Sequence, residues 1–180
     1  YSPFSYDSLS SKIYQNIVLG FSEKGTQTYG RWFGYLESDS GIDSDAFSFS
    51  GVNALISRKP LQSSKFIKTE AIDGIFIYRK KTPAPMMAQL TDFRERDDQV
   101  NISGSLDDQR TLPLEMVRVL DDYMRLRLSA HHGNSLVFLS EQHHPWRRAW
   151  SGNRQLRVVR VNGFYTGVII PPGVSDVEFG

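Results

Sequence analysis

The chain has 180 residues, a formal net charge of +1, and 39% hydrophobic, 12% aromatic and 23% charged residues. That composition excludes a disordered chain, and the near-neutral charge gives no global field aimed at nucleic acid. The absence of cysteine excludes disulfide scaffolds, thiolate metal sites and cysteine nucleophiles.

A first helix is predicted from Asp7 to Gly20. Asp7 or Ser8 caps it, and Leu9, Ile13, Ile17 and Phe21 recur four apart. The aromatic, glycine-rich stretch Thr26 to Leu36 reads as strand or ordered loop, and Ser38 to Ser50 as loop with a helical turn. From Val52 the pattern is β. Val52 to Ser57 is a short strand, and Phe66 to Glu70 with Ile75 to Arg79 form a hairpin around Ile72-Asp73-Gly74. Met86 to Leu90 is a further strand. Charge, Ser, Gly and Gln from Thr91 to Arg110 read as an exposed connection between two lobes.

The last 70 residues are the most regular. Met116 to Leu120 is a strand, and Tyr123 to Ala130 alternates with Met124, Leu126 and Leu128 on one face and Arg125 and Arg127 on the other. Leu136 to Leu139 is fully apolar. Strands at Leu156 to Val161, Tyr165 to Ile170 and Val174 to Phe179 follow, separated by Asn162-Gly163 and Pro171-Pro172-Gly173. Such spacing predicts an antiparallel sandwich. The expected fold is mainly β, α+β overall. Residues 1–90 form a small α+β lobe, 91–110 the exposed connection, and 111–180 an antiparallel β-sandwich lobe. No apolar run approaches the ~20 residues that span a bilayer. Tyr1 opens no signal-peptide pattern, and both ends read as trimmed from a longer protein.

One ordered series carries a resemblance. Leu136 to Glu141, His143-His144-Pro145-Trp146-Arg147-Arg148-Ala149-Trp150, Arg160 to Val168, Pro171-Pro172-Gly173 and Val177-Glu178-Phe179 together resemble the C-terminal soluble segment of YfhO-like bacterial membrane proteins and related multi-pass glycosyltransferases. Val52 to Ser57, Gly74 to Tyr78 and Pro85 resemble the family's earlier strands more loosely. Two positions depart from the family pattern: no Gly separates Pro145 from Trp146, and Ser151-Gly152 stands where Asp-Gly is usual. The resemblance implies a domain tethered by flanking membrane helices on the extracytoplasmic side of a bacterial membrane. Sugar transfer from a lipid-linked donor would be performed by acidic residues of the membrane-embedded remainder. The expected partners are that remainder, a saccharide or lipid-linked sugar, and anionic lipid headgroups, with nucleic acid not expected.

Within this frame the ligand-binding candidates are His143, His144, Trp146, Arg147, Arg148 and Trp150. Tryptophan faces bind sugar C–H surfaces, and Arg and His hydrogen-bond hydroxyls or phosphates. The competing reading, which the resemblance favours, has Trp146 and Trp150 plugging the open end of the sandwich. Arg147, Arg148, Arg154, Arg157 and Arg160 lie in a stretch without an acid, and so form either a phosphate-facing patch or a solvated strand face. The pairs His131-His132 and His143-His144 lack accompanying metal-ligand spacing, and adjacent histidines on a strand face opposite ways. The carboxylate pairs Asp97-Asp98, Asp107-Asp108 and Asp121-Asp122 supply no cleft of the kind glycosidases need. Gly30-Arg31-Trp32-Phe33-Gly34-Tyr35 matches a string in a nuclease-associated domain without its acidic set, and its aromatics read as core. Neither catalytic residue, cofactor nor metal is expected. A freestanding carbohydrate-binding or adhesion module is the alternative, and a nuclease-related enzyme ranks behind it.

Overall fold

The structure is a computed structural model that describes residues 24–28, 31–35, 39–96, 99–119 and 123–180. The helix expected at Asp7 to Gly20 lies outside the described residues. The protein is mainly β, and among the described residues no helix reaches seven residues. The chain divides into two units, one made of Tyr1–Pro85 with Gly104–Asp107, the other of Met86–Ser103 with Asp108–Gly180.

In the first unit, β1 (Lys24–Thr28) pairs antiparallel with β2 (Arg31–Tyr35). A 3-10 turn at Asp39–Asp43 precedes the four-residue helix α1 (Asp45–Ser48), whose cap is the Ser44 hydroxyl accepting from Phe47 N at 3.2 Å. The strands β3 (Ala54–Ser57), β4 (Phe66–Ile72) and β5 (Ile75–Lys80) form an antiparallel sheet in the order β3-β5-β4. Asp73 and Gly74 turn the hairpin with φ of 50° and 76°, the positive-φ pair that Asp-Gly favours. Ile42, Phe47, Phe66 and Tyr78 form its buried cluster. Tyr78 stays satisfied because its hydroxyl accepts from Leu61 N at 2.7 Å. The nearly buried Lys80 ammonium pairs with Asp107 at 2.7 Å.

The second unit is one sheet. Its strands are β6 (Met87–Leu90), β7 (Arg94–Arg96), β8 (Gln99–Asn101), β9 (Thr111–Leu112), β10 (Leu114–Val119), β11 (Met124–Leu128), β12 (Ser135–Gln142), β13 (Ala149–Ser151), β14 (Arg154–Val161), β15 (Tyr165–Ile170) and β16 (Asp176–Phe179). The order along the sheet is β10-β11-β16-β13-β14-β15-β12-β6-β9. β9 and β10 are one continuous segment joined through Pro113, so the two ends of the sheet meet and it nearly closes into a barrel. Proline has no N–H for either ladder, which suits the point where the chain changes partners. The buried Gln89 amide spans the seam. It donates to Ser129 O at 3.1 Å and to Ser135 Oγ at 3.0 Å, and accepts from Ser129 N at 3.0 Å.

Leu126, Leu128, Val137, Leu139, Leu156, Val168, Ile170, Val177 and Phe179 belong to one buried cluster. The alternate residues of the central strands are buried too: Leu136, Phe138, Val159, Val161 and Tyr165. This explains why β12 reads as a continuous apolar run, since a strand covered on both faces has no solvated side.

The mainly β, antiparallel fold is as expected, and the C-terminal strands curve into one nearly closed, barrel-like sheet through β9 and β10. One expectation is corrected here. The segment 91–110 is not a bare exposed connection. It holds β7, β8 and a 3-10 turn at Leu106–Asp108, buries Val100, Ile102 and Leu106, and pairs β8 in parallel with β14. The division between units falls at Pro85/Met86, while Gly104–Asp107 belongs to the first unit.

Candidate functional site

The loop 143–148 leaves the end of β12 and returns into β13. His143 N donates to Phe164 O at 2.7 Å, which ties the loop to the β14–β15 turn. At its far end Arg148 N donates to Gly180 O at 2.9 Å, and Gly180 N to Arg148 O at 3.2 Å. Between these anchors the loop carries five of the six candidate residues.

Trp146 is 71% exposed, so it does not plug the barrel. Its ring stacks on the His144 imidazole, with centroids 4.7 Å apart and planes 25° apart, and this presents a flat aromatic surface to solvent. Trp150 sits elsewhere, on β13, half-buried and opposite Gln155 of β14 and Glu178 of β16. Its neighbour Ala149 points into the buried cluster, so strand alternation sends Trp150 to the other face.

Other residues of the loop border an open cleft of about 390 Å³, lined by His143, Arg147, Arg148, Gln155, Arg157 and Val158 among others. Arg147 is oriented by Glu141, donating from Nη2 to its two carboxylate oxygens at 2.8 and 3.1 Å. Arg157 is paired with Glu95 of β7. Arg148 is held by neutral oxygens, donating to Pro145 O at 2.7 Å and Arg147 O at 3.1 Å. Two buried nitrogens, His143 Nδ1 and Arg147 Nε, have no partner among the described residues. Burial, and after it the charge of Arg160 and the neighbouring His144, hold the His143 pKa below its ordinary 6.5. The imidazole is therefore neutral at pH 7.

The cleft coincides with a break in the sheet. On the edge of β14 away from β15, β13 pairs only as far as Leu156, and β8 begins at Arg160. Asn162 N donates to Val100 O on that edge at 2.9 Å. By two-residue alternation the backbone N–H and C=O of Val158 point the same way, into the interval where no strand pairs with them among the described residues. Asn162 also fastens the β8 arm by accepting from Ile102 N at 2.8 Å through Oδ1.

The structure thus groups His143, Arg147 and Arg148 in one cleft, sets His144 and Trp146 beside it on the same loop, and leaves Trp150 on the strand that follows. Sequence reasoning missed Glu141 and Glu95 as the groups that aim the arginines, and missed the interval along β14. Glu95 is 62 residues from Arg157, a separation that carries no local signal. The two histidine pairs do not meet. His131 lies against Ile170 O at 3.2 Å, at one end of β15, and His143 against Phe164 O, beside its other end. Among the described residues there is no group of three or more metal-ligating side chains. Of the carboxylate pairs, Asp107 serves Lys80, whereas Asp97-Asp98 and Asp121-Asp122 lie outside the described residues. Arg31–Tyr35 of the nuclease-like string is β2.

No protein-family model, curated protein or solved structure matches this chain.

Proposed function

We propose that this chain is the non-catalytic extracytoplasmic domain of a multi-pass bacterial membrane protein of glycosyltransferase type, and that its 143–148 loop positions a saccharide or lipid-linked substrate. The ordered series from Leu136 to Phe179 supports the membrane-protein part of the reading. One observation carries the positioning part: Trp146 spends an exposed ring on a stack with His144 beside a cleft of aimed arginines. A tryptophan with no packing task, next to hydrogen-bond donors, matches what a pyranose needs, an apolar face met by aromatic carbon and hydroxyls met by charged donors. Among the described residues no helix is long and apolar enough to cross a membrane, so in this reading the anchor belongs to the rest of the parent protein.

A panel of neutral oligosaccharides and polyprenyl-phosphate sugars, titrated against the chain and followed by tryptophan fluorescence, tests the positioning role. Saturable binding abolished in a folded Trp146→Ala variant is expected. Absence of binding across the panel would reduce the domain to a scaffold.

A further inference from the structure

We infer that the interval on β14 between β13 and β8 is an anion subsite for phosphate-class groups, a phosphate monoester or diphosphate. It rests on the positioning role proposed for the adjoining loop and names the chemistry that the cleft accepts. Three cationic side chains, Arg147, Arg148 and Arg157, line the cleft, against two carboxylates, Glu141 and Glu95, that pair with two of them. Glu141 and Glu95 orient Arg147 and Arg157, leaving part of each guanidinium fork for a second acceptor. Arg148 is held by carbonyl oxygens alone, and no carboxylate pairs with it among the described residues. These donors come from two elements, the loop and β14, and Val158 N–H adds a backbone donor from the floor.

Such an arrangement suits a tetrahedral oxyanion, whose several oxygens accept from several directions, better than a flat carboxylate already supplied by Glu141. Two buried nitrogens of the site, His143 Nδ1 and Arg147 Nε, have no partner among the described residues, and so retain capacity for a further hydrogen bond. The volume of about 390 Å³ exceeds one phosphate and leaves room for the first atoms of what it esterifies. His143 adds a pH term. Burial first, and then Arg160 and His144, oppose its protonation, and the arginines and glutamates of the cleft, Arg147, Arg148, Arg157, Glu141 and Glu95, are the charged groups that face the interval beside it. An anion in the interval offsets the positive charge, so its binding favours the protonated His143 ring.

Calorimetric titration of the whole chain with inorganic pyrophosphate tests this, with Arg148→Gln and Arg157→Gln as exposed-site variants and Arg58→Gln in the first unit as a charge control. Saturable 1:1 binding is expected, weakened about tenfold by loss of each charge-assisted contact and unchanged in the control. Sulfate, which does not titrate near neutrality, is expected to bind more tightly as pH falls from 7 to 5, with the His143 ring proton signals titrating at higher pH when it is bound. Phosphatidylglycerol vesicles that compete with pyrophosphate identify a lipid headgroup as a source of the anion, and vesicles that do not compete assign the site to a soluble or sugar-linked phosphate. Pyrophosphate binding without oligosaccharide binding keeps the subsite and removes the glycan role of the loop. Oligosaccharide binding without pyrophosphate binding does the reverse and overturns the subsite, as does equal weakening by Arg58→Gln.

Discussion

Gly167 shows how much one residue can fix. A Cβ placed there would lie 2.5 Å from Val161 Cγ2 and 2.8 Å from Leu136 Cδ1. Both are short branched side chains in a buried layer, so neither can swing away. Gly167→Val is expected to cost about 3 kcal/mol by overpacking, measurable as a lower urea midpoint with unchanged slope. Gln89→Leu is expected to cost about 2 kcal/mol, since Ser129 N and Ser129 O would lose their partner at the barrel seam. Trp146→Ala, by contrast, should leave stability within about 0.5 kcal/mol of the parent, because an exposed side chain contributes little packing. These roles differ in how far they were legible. Asp73-Gly74 and Asn162-Gly163 announce their turns by type alone, and both adopt positive φ as a pair. Gly167 and Gln89 do not, because what they touch lies across strands distant in sequence. Residue type alone leaves Trp146 open between ligand face and plug for the same reason: burial belongs to the fold, and here the ring is exposed.

Among the described residues, His143, Asp43 and Tyr165 are titrating groups that shape the pH profile of the elements that hold them. His143 is depressed by burial and by Arg160 and His144, so the unfolded chain takes up its proton first, and stability falls as pH drops below 6.5. Burial tends to raise Asp43, but hydrogen bonds from Ser63, Ser64 and Lys65 outweigh it and hold the carboxyl below its ordinary 3.8. Its stabilisation of the 63–65 loop is present above that value and is lost as pH falls further. Tyr165, on β15, is raised above its ordinary 10.0 by burial, so stability declines as pH rises past 10, where the unfolded chain ionises. Urea midpoints measured from pH 3 to 11 are expected to be highest between about 7 and 9, and His143→Gln should remove the decline that begins below 6.5. The strand elements themselves were readable from alternation in β11 and from the unbroken apolar run in β12. The arm holding β7 and β8 was not, because charged and small residues around Val100 and Ile102 mask a two-residue rhythm too short to stand out.

Over the whole molecule, a sandwich and a nearly closed barrel share the same strand lengths, turn spacings and inward-outward pattern. What separates them is which strand pairs with which. The switch at Pro113 sends one short segment to β6 and the next to β11, and nothing in local sequence states that choice. The same holds for the site. Its loop residues were legible as a run, but the cleft depends on β13 pairing with β14 only as far as Leu156 and β8 joining it at Arg160, a spacing fixed only by the assembled sheet. In the proposed role this domain works beside a membrane as part of a larger polytopic protein. The most direct measurement is protease accessibility of this segment in the full-length parent, in intact source cells from which any outer barrier has been stripped. The expected result is a parent that stays in the carbonate-washed membrane fraction and a segment cleaved from outside. A full-length protein released into the soluble fraction, or a segment cut only after the membrane is opened, would contradict it. Release outside the cell would favour the freestanding carbohydrate-binding module instead.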